Sequence, residues 1–155
     1  MVALPLTGGC QCGALRYEIT LAPLMIYNCH CTNCQKIGGG AFSTPLAVLE
    51  PALRFVAGEP SLLEWTSDAG NTRFGWFCGP CGCRIAHGQR PSNGVLSVRS
   101  GTLDDTRWLA PVADIWTRSA QPWVVLPEGR LRYEAQPTDY APILQAFRAQ
   151  GHFAS

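Results

Sequence analysis

A mainly β fold with one short C-terminal helix is what this sequence predicts, on three observations. Short apolar stretches are punctuated by Gly, Pro and Asn, as strands joined by tight turns are. Several of those stretches alternate with period two. Only near the C-terminus does the period change, where Tyr140, Ile143, Leu144 and Phe147 fall at i, i+3, i+4 and i+7.

The expected strands, in order, are Ala14–Thr20, Phe42–Val48, Leu53–Val56, Leu62–Thr66, Thr72–Phe77, Arg84–His87, Val95–Arg99 and Val112–Arg118. In the first, Leu15, Tyr17 and Ile19 share a face. Asn93-Gly94 between two stretches predicts a hairpin turn. The helix is expected over about 139–150: Thr138 or Asp139 caps it, Pro142 lies in its first turn and Gly151 follows it. The Pro-rich stretch Gln121–Gly129 reads as an ordered loop. With no repeat or linker, all 155 residues are expected to form one domain.

Composition narrows the function. Apolar residues make up 46% of the chain, enough for a core, and charged residues only 15%, with a net charge of +1. That balance excludes broad electrostatic binding to nucleic acid or acidic lipid. No apolar run approaches the roughly 20 residues that span a bilayer. Met1 to Leu6 lacks Lys and Arg and is too short for a signal segment, so the cytoplasm is the expected compartment.

Eight cysteines carry the chemistry. In a reducing compartment clustered thiols bind metal in preference to forming disulfides. They fall into Cys10-Gln11-Cys12, then Cys29-His30-Cys31-Thr32-Asn33-Cys34, then Cys78-Gly79-Pro80-Cys81-Gly82-Cys83. In an extended chain Cys10 and Cys12 point to the same side, and the C-x-x-C turn at Cys78 and Cys81 brings two more sulfurs together. Joined, these four form a closed Cys₄ zinc site that contributes directly to folding. Cys29, Cys31 and Cys34 supply three sulfurs and leave a tetrahedral ion one open position, the pattern of catalytic zinc. Three thiolates on Zn²⁺ sum to −1, which makes the ion a weak activator of water and suits it to another thiolate. Two zinc ions per chain are expected, the second held less firmly.

Other residues have two readings each. His30 lies between two ligands, and in an extended segment its ring points away from the metal. Cys83 is either a small buried hydrophobe or a fourth ligand beside Cys29, Cys31 and Cys34, which would close that site. Lys36 and Arg118 are candidates to bind a substrate carboxylate. Trp116 and Trp123 either wall a pocket or belong to the core. His87 is expected to be structural and His152 solvated.

The segments Gly8-Gly9-Cys10-Gln11-Cys12-Gly13-Ala14-Leu15-Arg16-Tyr17-Glu18, Cys29-His30-Cys31-Thr32-Asn33-Cys34-Gln35-Lys36 with Gly40-Ala41-Phe42, and Phe77-Cys78-Gly79-Pro80-Cys81-Gly82 occur in this order. Together they resemble the three motifs of the glutathione-dependent formaldehyde-activating enzymes, a family that includes centromere protein V-like domains. The resemblance covers about residues 8–127. It implies a β-tent fold, structural zinc on Cys10, Cys12, Cys78 and Cys81, and catalytic zinc on Cys29, Cys31 and Cys34. It also implies a carbon–sulfur lyase acting on the adduct of glutathione and formaldehyde; the open position on the second zinc is expected to hold a thiol as thiolate, which attacks an aldehyde carbonyl to give a hemithioacetal. Two positions depart from the pattern: Cys83 stands where a small residue without a thiol is usual, and Asp114 where His is common. Two alternatives therefore stay open, a non-catalytic domain stapled by two closed Cys₄ sites and a family enzyme with another sulfur or carbonyl substrate.

Overall fold

Three β-sheets and two helices make up the computed structural model, which describes residues 1–67 and 70–153. The strands are β1 (Leu6–Gly9), β2 (Arg16–Ile19), β3 (Met25–Ile26), β4 (Asn28–Cys29), β5 (Pro45–Leu49), β6 (Leu53–Ala57), β7 (Ser61–Thr66), β8 (Thr72–Phe77), β9 (Arg84–Arg90), β10 (Val95–Arg99), β11 (Ala113–Ile115) and β12 (Leu131–Tyr133). The helices are α1 (Thr32–Gly38) and α2 (Ala141–Ala149).

A large antiparallel sheet runs β3-β5-β10-β9-β8-β7. Its two faces differ sharply. Phe74, Ala86, Leu96 and Val98 are buried on one face, and Gly88 lies among them. A Cβ on Gly88 would fall 2.7 Å from the Phe74 ring and 2.9 Å from Leu96, so only a bare backbone fits there. This apolar face meets the antiparallel sheet β1-β2-β6, with Trp76 edge-on to Phe55 at 5.7 Å. The opposite face carries Arg73, Gly75, His87, Ser97 and Arg99, because residues two apart on a strand share a side and Gly75, His87 and Ser97 are cross-strand partners.

The third sheet, β12-β11-β4, is parallel. Buried Asp114 holds it together from its centre: its carboxylate accepts hydrogen bonds from Asn28 Nδ2 at 3.1 Å and Arg130 Nη1 at 3.2 Å, and its Oδ1 lies 2.9 Å from His30 Nε2. Buried charges persist only when paired in this way. Asp114→Ala would strand His30 and Arg130 and should cost about 3–5 kcal/mol in urea denaturation, whereas Asp114→Asn, which keeps a partner for His30, should cost less.

Sequence and structure agree best on the long strands. The predicted strand over Val112–Arg118 instead ends at Ile115, because Trp116 takes a left-handed conformation (φ 59°) and a 3₁₀ turn follows over Thr117–Ser119. The strand expected from Phe42 begins at Pro45, leaving Ser43 as an isolated bridge to Cys29. Asn93-Gly94 lies in the four-residue link 91–94 between β9 and β10, with Gly94 at φ 77°, rather than forming a tight two-residue hairpin turn. The N-cap of helix α2 is Tyr140, not Thr138 or Asp139, although Asp139 Oδ1 accepts from the Ala141 N–H at 2.8 Å; the helix buries Ile143 and Phe147. One cluster of buried side chains extends from Leu6 to Phe147. His152 is packed rather than solvated: its ring lies against Trp108 and Phe147. Among the described residues, no helix is long and apolar enough to cross a membrane.

Candidate metal centres

The sulfurs of Cys10, Cys12, Cys78 and Cys81 all lie within 4.8 Å of one another. Cys10 to Cys12 is 3.5 Å and Cys12 to Cys78 is 3.6 Å. The first pair does not converge by extension, as the alternation argument assumed. Cys10 to Gly13 is a turn, closed by a 3.1 Å bond from the Gly13 N–H to the Cys10 carbonyl, with Gly13 at φ 80°. The second pair sits on the turn that links β8 to β9, where Gly82 donates to the Cys78 carbonyl at 2.8 Å and takes φ 72°. Burial pushes the Cys10 thiol up, but the Leu15 N–H at 3.2 Å and the neighbouring sulfurs more than offset it, leaving it at about 6. A backbone N–H aimed at sulfur stabilises thiolate, the form that binds metal.

Cys29, Cys31 and Cys34 form the second cluster, also with every sulfur within 4.8 Å of the others. Their segment is fixed on both sides. Cys29 exchanges backbone hydrogen bonds with Ser43 at 2.8 and 3.1 Å, and the His30 N–H donates to the Ile115 carbonyl at 3.0 Å. Cys29-His30-Cys31 is extended, so the His30 ring leaves the sulfur side and packs on Phe42 with its Nε2 at Asp114. Cys31 then caps α1, its sulfur accepting the Cys34 N–H at 3.4 Å, and the first turn of α1 carries Cys34 back to the pair. Gln35 locks that turn by donating to the carbonyls of His30 at 2.6 Å and Ser119 at 2.8 Å. Hydrogen bonds from the Cys29 and Cys31 thiols draw Cys34 down to about 2 against the effect of burial, helped by Ser43 and the charge of Arg99. The same contacts push Cys29 far up.

Both donor sets fit a soft divalent ion. Zinc at about 2.3 Å from each sulfur of a tetrahedron sets the sulfurs about 3.8 Å apart, close to the separations in the four-sulfur cluster. Thiolate donors select zinc over hard cations. All eight cysteines are free thiols.

The profile of one protein family, described as glutathione-dependent formaldehyde-activating enzyme, matches residues 5–119, which takes in every cysteine. The chain belongs to that family. A solved structure of a Rhodobacter sphaeroides protein has the same fold, with a TM-score of 0.53 at 21% identity; the match covers 83% of this chain and 99% of that one.

Within this family member the remaining candidates are spread out. Cys83 belongs to neither cluster. It is partly buried, its thiol faces the Arg84 carbonyl at 4.0 Å, and it lines a cavity of about 370 Å³ with Cys10, Arg16 and Asp104. Lys36 is exposed in the last turn of α1. The Arg118 guanidinium lies over the Trp116 ring at 4.7 Å, and Trp116 Nε1 donates to Gln136 at 2.9 Å. Trp123 is 71% exposed and so is not a core residue.

Sequence reasoning passed over Ser43, Arg84 and Arg99. All three guanidinium nitrogens of Arg99 are shut off from solvent with no hydrogen-bond partner among the described residues. Their only sequence signal was polar residues where a strand alternates, which reads as a solvated face.

Proposed function

We propose that this chain is a zinc-dependent carbon–sulfur lyase that makes and breaks S-hydroxymethylglutathione, the adduct of glutathione and formaldehyde. The observation that carries this reading is the inequality of the two clusters. Four sulfurs converge at Cys10, Cys12, Cys78 and Cys81, whereas Cys29, Cys31 and Cys34 have no fourth Cys, His, Asp or Glu among the described residues. A saturated set is structural; a set of three leaves room for an exchanging thiol. Cys83 would be needed for two closed Cys₄ sites, and its place outside the trio argues against a purely structural domain.

Zinc on the trio would supply positive charge that favours the thiolate of an incoming thiol. The chain's own part is to hold three sulfurs in register, through the two backbone anchors of Cys29 and the short turn of α1. In the forward direction the thiolate sulfur forms a bond to the aldehyde carbon, and the carbonyl oxygen takes up a proton. The reverse breaks that bond and returns the proton. Family membership supports glutathione and formaldehyde as the pair.

The test is exchange NMR on zinc-loaded protein with glutathione and formaldehyde. Adduct formation should run well above its rate in buffer; equal rates with and without protein would sink the reading. A panel of longer aldehydes and other thiols fixes the substrate range.

A further inference from the structure

The polar face of the large sheet carries more positive charge than its surroundings answer. Arg73, Arg84 and Arg99 all belong to it, and none takes part in a salt bridge among the described residues. Arg84 lies across Gly75, where a Cβ would come within 2.7 Å of its Cζ, and its Nη1 is buried without a partner. Arg99 has all three guanidinium nitrogens in that state, as does His87 at Nδ1. His87 lies on the same face, opposite Gly75 and Ser97, and burial followed by the charge of Arg99 holds it down at about 4, against the charge of Cys34. Arg99 is the cross-strand partner of Pro45 on β5, two residues beyond Ser43, which bridges Cys29.

Guanidinium groups removed from water are paired when a structure is complete. The metal centre answers only part of this charge, since three thiolates and a dication leave one negative unit. We propose that Arg99, supported by Arg84 on the same sheet face, receives a carboxylate of the thiol substrate beside the Cys29–Cys31–Cys34 centre. Arg suits this role because its planar fork matches a carboxylate with two parallel hydrogen bonds. The ligand class is thus a small thiol bearing at least one carboxylate, such as a γ-glutamyl peptide. This inference rests on the proposed thiol site.

Calorimetric binding to the zinc-loaded protein tests it, with glutathione, its diethyl ester and 2-mercaptoethanol as probes. The native protein should bind glutathione about 10–100-fold more tightly than the diester, the range expected for a charged hydrogen-bonded pair. Arg99→Met should remove that preference while leaving 2-mercaptoethanol binding and zinc content unchanged, and Arg99→Lys should restore part of it. The proposal is overturned if the native protein does not distinguish acid from ester, if Arg99→Met keeps the preference, or if Arg99→Met loses zinc, which would assign Arg99 to the metal centre. A native preference that depends on Arg99 in a protein that does not accelerate adduct formation would uphold the carboxylate site and refute the lyase reading.

Discussion

Cys31→Ser is expected to abolish acceleration of the glutathione–formaldehyde reaction and to lower bound zinc from two ions per chain to one, with the fold retained. Cys31 supplies one of three sulfurs and also caps α1, so its loss removes a ligand and loosens the turn that presents Cys34. The fall should exceed the ~10–100-fold that follows removal of a supporting contact outside the donor set. Stopped exchange NMR and metal analysis on the same sample read both quantities. A variant with one zinc and native activity would show that the trio is not the reacting centre.

Cys78→Ser should act on the fold instead. Cys78 is fully buried, its sulfur sits 3.6 Å from Cys12, and its backbone N–H donates to the Cys83 carbonyl at 3.0 Å. Losing one of four donors from a closed site should lower the melting temperature by roughly 10 °C or more, at the upper end of single-site effects. A strong chelator should go further and unfold the chain, because binding free energy in such a site is folding free energy. Circular dichroism during chelation checks this. Release of both ions with no loss of structure would remove the structural role of the four-sulfur cluster.

The grouping of the cysteines into a set of four and a set of three was readable in the sequence, because metal donors are recognised by short spacings that survive folding. The long strands were readable from their length and their β-branched and aromatic content: Leu62–Thr66 and Thr72–Phe77 pair along their whole length. What escaped was local structure too short to have a period. β3 and β4 have two residues each, and α1 has seven, several of them taken by the cysteine motif. Those pieces are set by tertiary partners, as the Cys29 anchors to Ser43 and Ile115 make plain. Arg99 escaped for a different reason. On its own strand it is an ordinary polar residue alternating with buried Leu96 and Val98; only the pairing of β10 with β9 and with β5 sets it apart.

The turn at Cys10 finds its metal partners 66 residues further along the chain, between Cys12 and Cys78. On the ribosome, the N-terminal cysteine pair emerges long before Cys78 and Cys81, and for that interval nothing can complete its coordination. Bringing such distant segments together carries a loop-closure cost that only late contacts repay. Nascent chains thus expose a half-built chelate to oxidants and competing ions, and maturation depends on how soon the second pair arrives.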